Sequence, residues 1–249
     1  IADSDVLLWI RAIAGERGDQ VEVCEPDVSP LALQGPKAND VANQVFGDWV
    51  KDLKFFHFRR LTHEGIPLVL CRSGWSKQGG FELFLEDETK GEQLWNLIWD
   101  TGQQFGIRAG GPNNVERIEN FLFSWGSDAG RDCDPYESGI GNYVDLGAEH
   151  DFIGKAALKN KRAEGPDREL KGLLIDGEPV DPNPTPVGLR NPNGSYAGQT
   201  RIVCYSRKYQ RNLGLAVVEV PHNLPGTKVQ VETSDGWRPA IVADLPFDL

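Results

Sequence analysis

The stretch Ser73-Gly74-Trp75-Ser76-Lys77-Gln78-Gly79-Gly80 sets three glycines and two serines around an indole, and Glu82 follows Trp75 by seven residues. Glycines at that density permit a tight backbone elbow, which can bring an aromatic face and a carboxylate to the same side of a pocket. A carboxylate accepts two parallel hydrogen bonds from adjacent N–H donors, a charge-assisted and shape-selective pairing. The indole adds a stacking face, or a π surface for a cation. This pair suits recognition of a flat heterocycle with neighbouring N–H groups. The same residues also suit a plain hairpin turn with a core Trp and a surface Glu, and residue types alone leave both readings open.

Other candidates carry less. His57 and His63 flank a hairpin, where isolated histidines are more often structural or exposed than catalytic. Glu116 and Glu119 either join Arg117 in a helix-surface network, worth a few tenths of a kcal/mol per pair, or face a cavity. No spacing matches a P-loop, a dinucleotide fingerprint, a nucleophilic triad or a metal cluster, so no metal is expected. A formal charge of −11 argues against a nucleic-acid partner, which needs a basic footprint to displace counterions. Cys24, Cys71, Cys133 and Cys204 lie far apart with no CxxC pair, which fits reduced thiols and a cytoplasmic location better than a disulfide framework. No apolar run approaches a membrane span.

The elements that must position these residues read as α+β over the first part of the chain. Ile1-Ala2 has the character of a strand end, implying chain upstream, and Asp3-Ser4-Asp5 reads as a helix cap. A short amphipathic helix is then expected through Val6, Leu7, Ile10, Ile13 and Ala14, followed by a strand at Val21-Glu22-Val23 and another from Ser29 to a turn at Gly35. Pro36 opens a helix bearing Val41, Ala42, Val45 and Phe46. Apolar runs at Phe55–Leu61, Ile66–Cys71 and Phe81–Leu85 predict three strands, the elbow preceding the third. Gly91 opens a helix with Leu94, Leu97, Ile98 and Phe105 on one face, and Pro112 opens another with Val115, Ile118 and Leu122. Helical periodicity stops after Leu158. Short apolar runs at Leu170–Ile175, Ala197–Tyr205, Leu213–Val220, Lys228–Thr233 and Ala240–Leu245 then predict a small antiparallel barrel or sandwich, while Pro179, Pro182, Pro184, Pro186 and Pro192 make 177–194 a long loop.

The elbow through Leu83 resembles the signature Gly-Tyr-Thr-Gly-Glu-x-Gly-Phe-Glu-Ile of the glycine cleavage T-protein superfamily, with Trp75 at the Tyr and Glu82 at the final Glu. Further matches run in order: Pro30-Leu31-Ala32-Leu33-Gln34-Gly35-Pro36-Lys37, Glu116-Arg117-Ile118-Glu119, Ser124-Trp125-Gly126-Ser127-Asp128, Asp134-Pro135-Tyr136-Glu137-Ser138-Gly139 and Phe152-Ile153-Gly154-Lys155. Within the superfamily, Ile1-Ala2-Asp3, Glu25-Pro26-Asp27, Lys54-Phe55-Phe56, Ser76-Lys77-Gln78-Gly79-Gly80 and Leu245-Pro246-Phe247 look most like the dimethylsulfoniopropionate demethylases.

The resemblance implies a three-lobed folate-binding fold, with residues 1–158 completing two interwoven lobes and 159–249 forming a C-terminal antiparallel β-barrel domain. It implies tetrahydrofolate as cofactor, Glu82 on the pterin, Trp75 beside it, Phe56 near it, and Tyr205 with Ser206 at a strand end close to it. Asn113 stands where the family has a folate-binding Arg. The family's folate-positioning Asp would lie upstream of residue 1, so no catalytic residue is assigned. The implied activity is tetrahydrofolate-dependent methyl transfer from a small-molecule donor, with dimethylsulfoniopropionate as the leading one. Aminomethyl transfer, O- or N-demethylation and folate binding without turnover are the alternatives. Lys77 and Gln78, in place of the signature's Gly and Glu, weaken the aminomethyl reading. Oligomeric state is left open.

Overall fold

The computed structural model describes residues 3–111 and 113–249. The chain divides into two compact units, residues 2–112 and residues 113–249.

In the first unit, β1 (Ser29–Gln34), β2 (Phe58–His63), β3 (Ile66–Cys71) and β4 (Gly80–Leu85) form an antiparallel sheet in the order β1-β4-β3-β2. Alternation decides its faces, because successive side chains in a strand point to opposite sides. Leu33, Ile66, Leu68, Leu70, Phe81, Leu83 and Leu85 turn one way. They form a buried cluster with Val41, Ala42 and Phe46 of α2 (Ala38–Phe46) and Leu94 and Ile98 of α3 (Gly91–Gly102). The other face carries a row of register-matched residues, Phe58, Cys71, Glu82 and Ala32.

Two expectations fail here. The alternating Val21-Glu22-Val23 is irregular chain, since alternation without a pairing partner makes no ladder. The first helix, α1 (Asp3–Arg17), forms, yet Val6, Leu8, Trp9 and Ile10 are exposed, so the expected amphipathic stripe buries little. The expected strand end at Ile1-Ala2 and the helix start at Pro112 lie outside the described residues.

In the second unit, six strands close into an antiparallel barrel in the order β10-β5-β8-β7-β6-β9. These are β5 (Arg168–Ile175), β6 (Gly188–Arg190), β7 (Tyr196–Ser206), β8 (Arg211–Glu219), β9 (Lys228–Thr233) and β10 (Gly236–Ala243). The interior is Leu173, Ile175, Leu189, Val203, Ala216, Val218, Val229, Val231 and Val242. β6 corrects the reading of 177–194 as loop throughout. The prolines bracket Gly188–Arg190 without entering it, so its three N–H groups remain free to pair with β7 and β9.

Before the barrel come α4 (Asn114–Glu119) and α5 (Lys155–Glu164). Ile118 of α4 is buried with Ile202, Cys204, Leu213, Leu215 and Phe247, and the N–H of Leu170 donates to the Glu137 carbonyl at 2.7 Å. The segment preceding the barrel therefore packs on it, and residue 158 falls inside this unit. Helix α5 continues past Leu158, where periodicity had suggested an end. Lys159 to Glu164 has no apolar stripe but consists mostly of strong helix formers, and Gly165, at φ +78°, closes it.

Candidate functional site

Four chain segments meet at one end of the four-stranded sheet: the end of β1, the start of β2, the end of β3 and the start of β4. The elbow, residues 73–80, joins the last two. Its shape is set by Gln34, the last residue of β1. The Gln34 amide donates to the carbonyls of Ser73 (3.1 Å) and Phe81 (3.0 Å), and its Oε1 accepts from the Ser76 hydroxyl at 2.7 Å. The Ser76 hydroxyl in turn accepts from the Gln78 N–H at 3.1 Å, and the Gly35 N–H donates to the Gly79 carbonyl at 2.9 Å. Two glycines make room for this clamp. A Cβ on Gly74 would lie 2.0 Å from Gln34 Oε1, and one on Gly80 would lie 2.2 Å from the Leu33 carbonyl, at a backbone φ of +147°.

Glu82 sits on β4 beside Cys71 and Ala32 in the register. The hydroxyl of Ser73 donates to its Oε2, and among the described residues it has no ion-pair partner. A partly buried carboxylate that receives one neutral donor retains acceptor capacity on both oxygens. Its charge acts on Cys71: burial pushes that thiol up, and Glu82 pushes it further. Trp75, at the elbow tip, is 40% exposed, so an indole face is available.

Phe56 belongs to the same end of the sheet. Its N–H donates to the Arg72 carbonyl at 3.0 Å, and the Arg72 N–H donates to the His57 carbonyl at 2.9 Å, which ties the loop before β2 to the residue that enters the elbow. Phe56 is 78% exposed, at φ +59°, with its ring 4.2 Å from that of Phe55. Glu82, Trp75 and Phe56 thus all stand around one sheet end. His57 and His63 play structural parts: His57 Nδ1 lies 3.2 Å from the Phe55 carbonyl, and His63 packs edge-on against Phe46 at 5.0 Å.

Asn113 and Tyr205 belong to the other unit. Asn113 is the N-cap of α4, its Oδ1 accepting from the Glu116 N–H at 2.8 Å. The Tyr205 hydroxyl donates to Gln210 Oε1 at 3.2 Å, within the β7–β8 hairpin. Nearby, the buried Ser206 hydroxyl donates to Glu119 Oε1 at 2.5 Å and accepts from the Tyr209 N–H at 3.0 Å. Of the two readings left open for Glu116 and Glu119, the one that joins them to Arg117 on the helix surface does not describe Arg117, which forms a buried pair. Arg117 Nη1 donates to both oxygens of Asp128 at 2.7 Å, and Asp128 Oδ2 also accepts from the Ser124 N–H at 2.8 Å. Arg117 turns inward because Asp128, fully buried in the loop after α4, supplies the countercharge a buried guanidinium requires.

In the sequence Gln34 and Asp128 stand out only as members of the motifs Pro30–Lys37 and Ser124–Asp128. Their roles rest on contacts across 39 and 11 residues of chain, which local patterning does not encode.

One unit holds a helix-backed antiparallel sheet with a clamped glycine elbow that presents a carboxylate, and the other holds a closed six-stranded antiparallel barrel. The GCVT N-terminal domain family matches residues 1–148 and the glycine cleavage T-protein C-terminal barrel domain family matches residues 168–248. The chain belongs to the glycine cleavage T-protein family.

Its sequence is 43% identical to the dimethylsulfoniopropionate demethylase of Ruegeria pomeroyi over 245 residues, 98% of this chain and 66% of that protein. An aminomethyltransferase of Bacillus cereus (strain B4264) is 30% identical over 224 residues, 89% of this chain and 60% of that one. The crystal structure of glycine cleavage system aminomethyltransferase T from Bartonella henselae matches at a TM-score of 0.77 and 21% identity, covering 95% of this chain and 64% of that one. That likeness shows the shared fold, and the expected T-protein-like α+β fold with a C-terminal antiparallel barrel is the one observed. The chain spans about 60–66% of the length of these curated relatives.

Proposed function

We propose that this chain carries the pterin-gripping carboxylate of a tetrahydrofolate-dependent methyltransferase, which moves a methyl group from the sulfonium of dimethylsulfoniopropionate to N5 of tetrahydrofolate. The S–CH3 bond breaks as the N5–CH3 bond forms, and the products are 5-methyltetrahydrofolate, methylmercaptopropionate and the proton that N5 gives up to solvent. The observation that carries the reading is Glu82: a partly buried carboxylate, oriented by the Ser73 hydroxyl, paired with no cation among the described residues and set beside an elbow that bears an indole. Those unspent acceptor sites fit a pterin edge with adjacent N–H donors. The 43% identity to a protein named for this reaction favours this donor over others.

Tetrahydrofolate, when bound, supplies N5 as the methyl acceptor. A sulfonium releases a neutral thioether, so no side chain need protonate the leaving group. The work left to the protein is orientation and exclusion of water, and near-attack positioning contributes about 7–11 kcal/mol in favourable cases. In this reading Glu82 fixes the pterin edge, Trp75 packs against the cofactor or faces the cationic donor, and Phe56 covers the ring. Asn113 and Tyr205 are included by resemblance, at the family positions near the cofactor. Residues 1–158 are assigned to the folate-binding lobes and 159–249 to the barrel domain. Free thiols at all four cysteines suit a cytoplasmic location, and no described helix is long and apolar enough to cross a membrane.

Aminomethyl transfer, suggested by the Bacillus cereus relative's name, is disfavoured by Lys77 and Gln78 in the elbow. The test is tetrahydrofolate binding to Glu82→Ala, with circular dichroism to verify the fold. Binding should be lost, and an unchanged dissociation constant overturns the assignment. Incubation with tetrahydrofolate and a panel of sulfonium, ether and amine donors then separates the chemistries, and binding without product from any donor identifies a folate-binding protein without turnover.

A further inference from the structure

We infer that Gln34 is the positioning residue of this site, setting the direction of the Glu82 carboxylate through the backbone and hydroxyl of Ser73. The inference rests on the folate reading above and deepens it. Gln34 touches no part of the presented surface that would meet a pterin; its whole amide is spent on the elbow. Both amide donors are directed at carbonyls on either side of the turn, at Ser73 where the chain leaves β3 and at Phe81 where it enters β4. The acceptor holds Ser76, in the middle of the turn. One side chain thus binds the entry, the middle and the exit of an eight-residue connection.

The link to the carboxylate is Ser73. Its carbonyl is bound by Gln34 and its hydroxyl donates to Glu82 Oε2. The position of that hydroxyl follows from the backbone that Gln34 holds, and the carboxylate rotamer follows from the hydroxyl. Phe81, the second carbonyl partner, is the residue immediately before Glu82, so the clamp reaches Glu82 twice, through the Ser73 hydroxyl and through the preceding residue of its own strand. The glycines at 74 and 80 show how tightly the amide is seated, since any Cβ at Gly74 would overlap it and one at Gly80 would meet Gln34 as well as the Leu33 carbonyl. A carboxylate that must receive two parallel hydrogen bonds is sensitive to its plane, and a displacement of about 1 Å can cost on the order of a hundredfold.

The experiment uses the full chain as wild type, Gln34→Leu, Ser73→Ala, Ser76→Ala and Glu82→Ala. Read out are the tetrahydrofolate dissociation constant, the KM for each substrate, the melting temperature and hydrogen exchange of amides 73–80. Gln34→Leu should raise the tetrahydrofolate dissociation constant about ten- to a hundredfold and accelerate exchange in the elbow, with the melting temperature close to that of wild type. Ser73→Ala should weaken folate binding in the same direction while leaving elbow exchange as in wild type, because it removes the hydroxyl and not the clamp. A general loss of structure would instead raise both KM values and lower the melting temperature together, and would count against a positioning role. Should Gln34→Leu fail to fold, Ser76→Ala, which removes one clamp bond, decides by the same pattern on a smaller scale. Loss of folate binding in Glu82→Ala together with wild-type binding in Gln34→Leu and Ser73→Ala overturns this inference and leaves the folate reading standing. Wild-type binding in Glu82→Ala removes the folate reading itself.

Discussion

At the scale of single residues, Glu82 and Cys71 are neighbours in the β3–β4 register, and the electrostatic coupling between them gives a readout of the carboxylate that needs no ligand. A nearby negative charge disfavours a thiolate, and burial adds to that. Glu82→Gln removes the charge and keeps the shape, so the Cys71 thiol titrates at lower pH and a larger fraction is thiolate at mildly alkaline pH. Cys71 should therefore alkylate faster in Glu82→Gln than in wild type, followed by peptide mass spectrometry to separate it from the exposed Cys24. An unaltered rate would show that the carboxylate does not face the thiol. Cys204 is a built-in control. Burial first, then the charge of Glu119, push its thiol up to about 12, against the opposing influence of Arg117, so it should resist alkylation in the folded protein. A second prediction concerns the Arg117–Asp128 pair. Arg117→Met leaves a fully buried carboxylate without its cation, and removal of one partner from such a pair costs about 3–5 kcal/mol. The double variant Arg117→Met, Asp128→Leu should recover most of that loss in urea unfolding, whereas equal stability of single and double variants would mean the ion pair is not what the site requires.

At the scale of elements, the elbow contains two adjacent glycines that are required for different reasons. Gly79 has φ +79° with nothing within 4 Å of an added Cβ, while Gly80 has φ +147° and the Leu33 carbonyl 2.2 Å away. Gly79→Ala therefore carries only the left-handed backbone cost, about 1 kcal/mol. Gly80→Ala adds a collision with backbone that cannot rotate away, and about 3 kcal/mol or more is expected. Equal costs in denaturant titration would mean that β1 and β4 separate easily at this end. The contrast also marks what the sequence discloses about elements. The apolar runs Ile66–Cys71 and Phe81–Leu85 mark both strands, but which face each residue takes emerges only in the pleated sheet, where Glu82 turns away from the side of Phe81 and Leu83. The glycine cluster likewise announces the elbow. The clamp itself is not legible, since Gln34 reaches it only after the sheet has brought β1 beside β4. β6 escapes notice because three residues between prolines give too short a pattern, and the alternation at Val21-Glu22-Val23 misleads because pairing, not alternation, makes a strand. Asn113, which the resemblance puts at a cofactor position, also caps α4, its Oδ1 accepting from the Glu116 N–H, a role that reading Pro112 as the helix start does not disclose.

At the scale of the whole molecule, folate binding and stability are linked. A ligand that binds the folded chain and not the unfolded one stabilises it by RT ln(1 + [L]/Kd), about 2.7 kcal/mol at a hundredfold excess over the dissociation constant. In a chain of this size each kcal/mol moves the melting temperature by roughly 2–4 °C, so saturating tetrahydrofolate should raise it by about 5–10 °C. Glu82→Ala should melt near the unliganded wild type and show no such rise, because Glu82 lies on the face opposite the Leu70–Phe81–Leu83 core and contributes little to packing. The net charge of −11 adds a second arm to the measurement. The carboxylate contact is short-range and partly shielded from solvent, so moderate salt, which screens charges separated by more than about 8–10 Å, should leave the folate-induced rise intact. Tetrahydrofolate carries ionised carboxylates of its own, so the net charge repels it at long range and salt can only relieve that; a rise that collapses in 0.15 M salt would instead mean that cationic side chains hold those carboxylates, and the site would have to be sought away from the elbow.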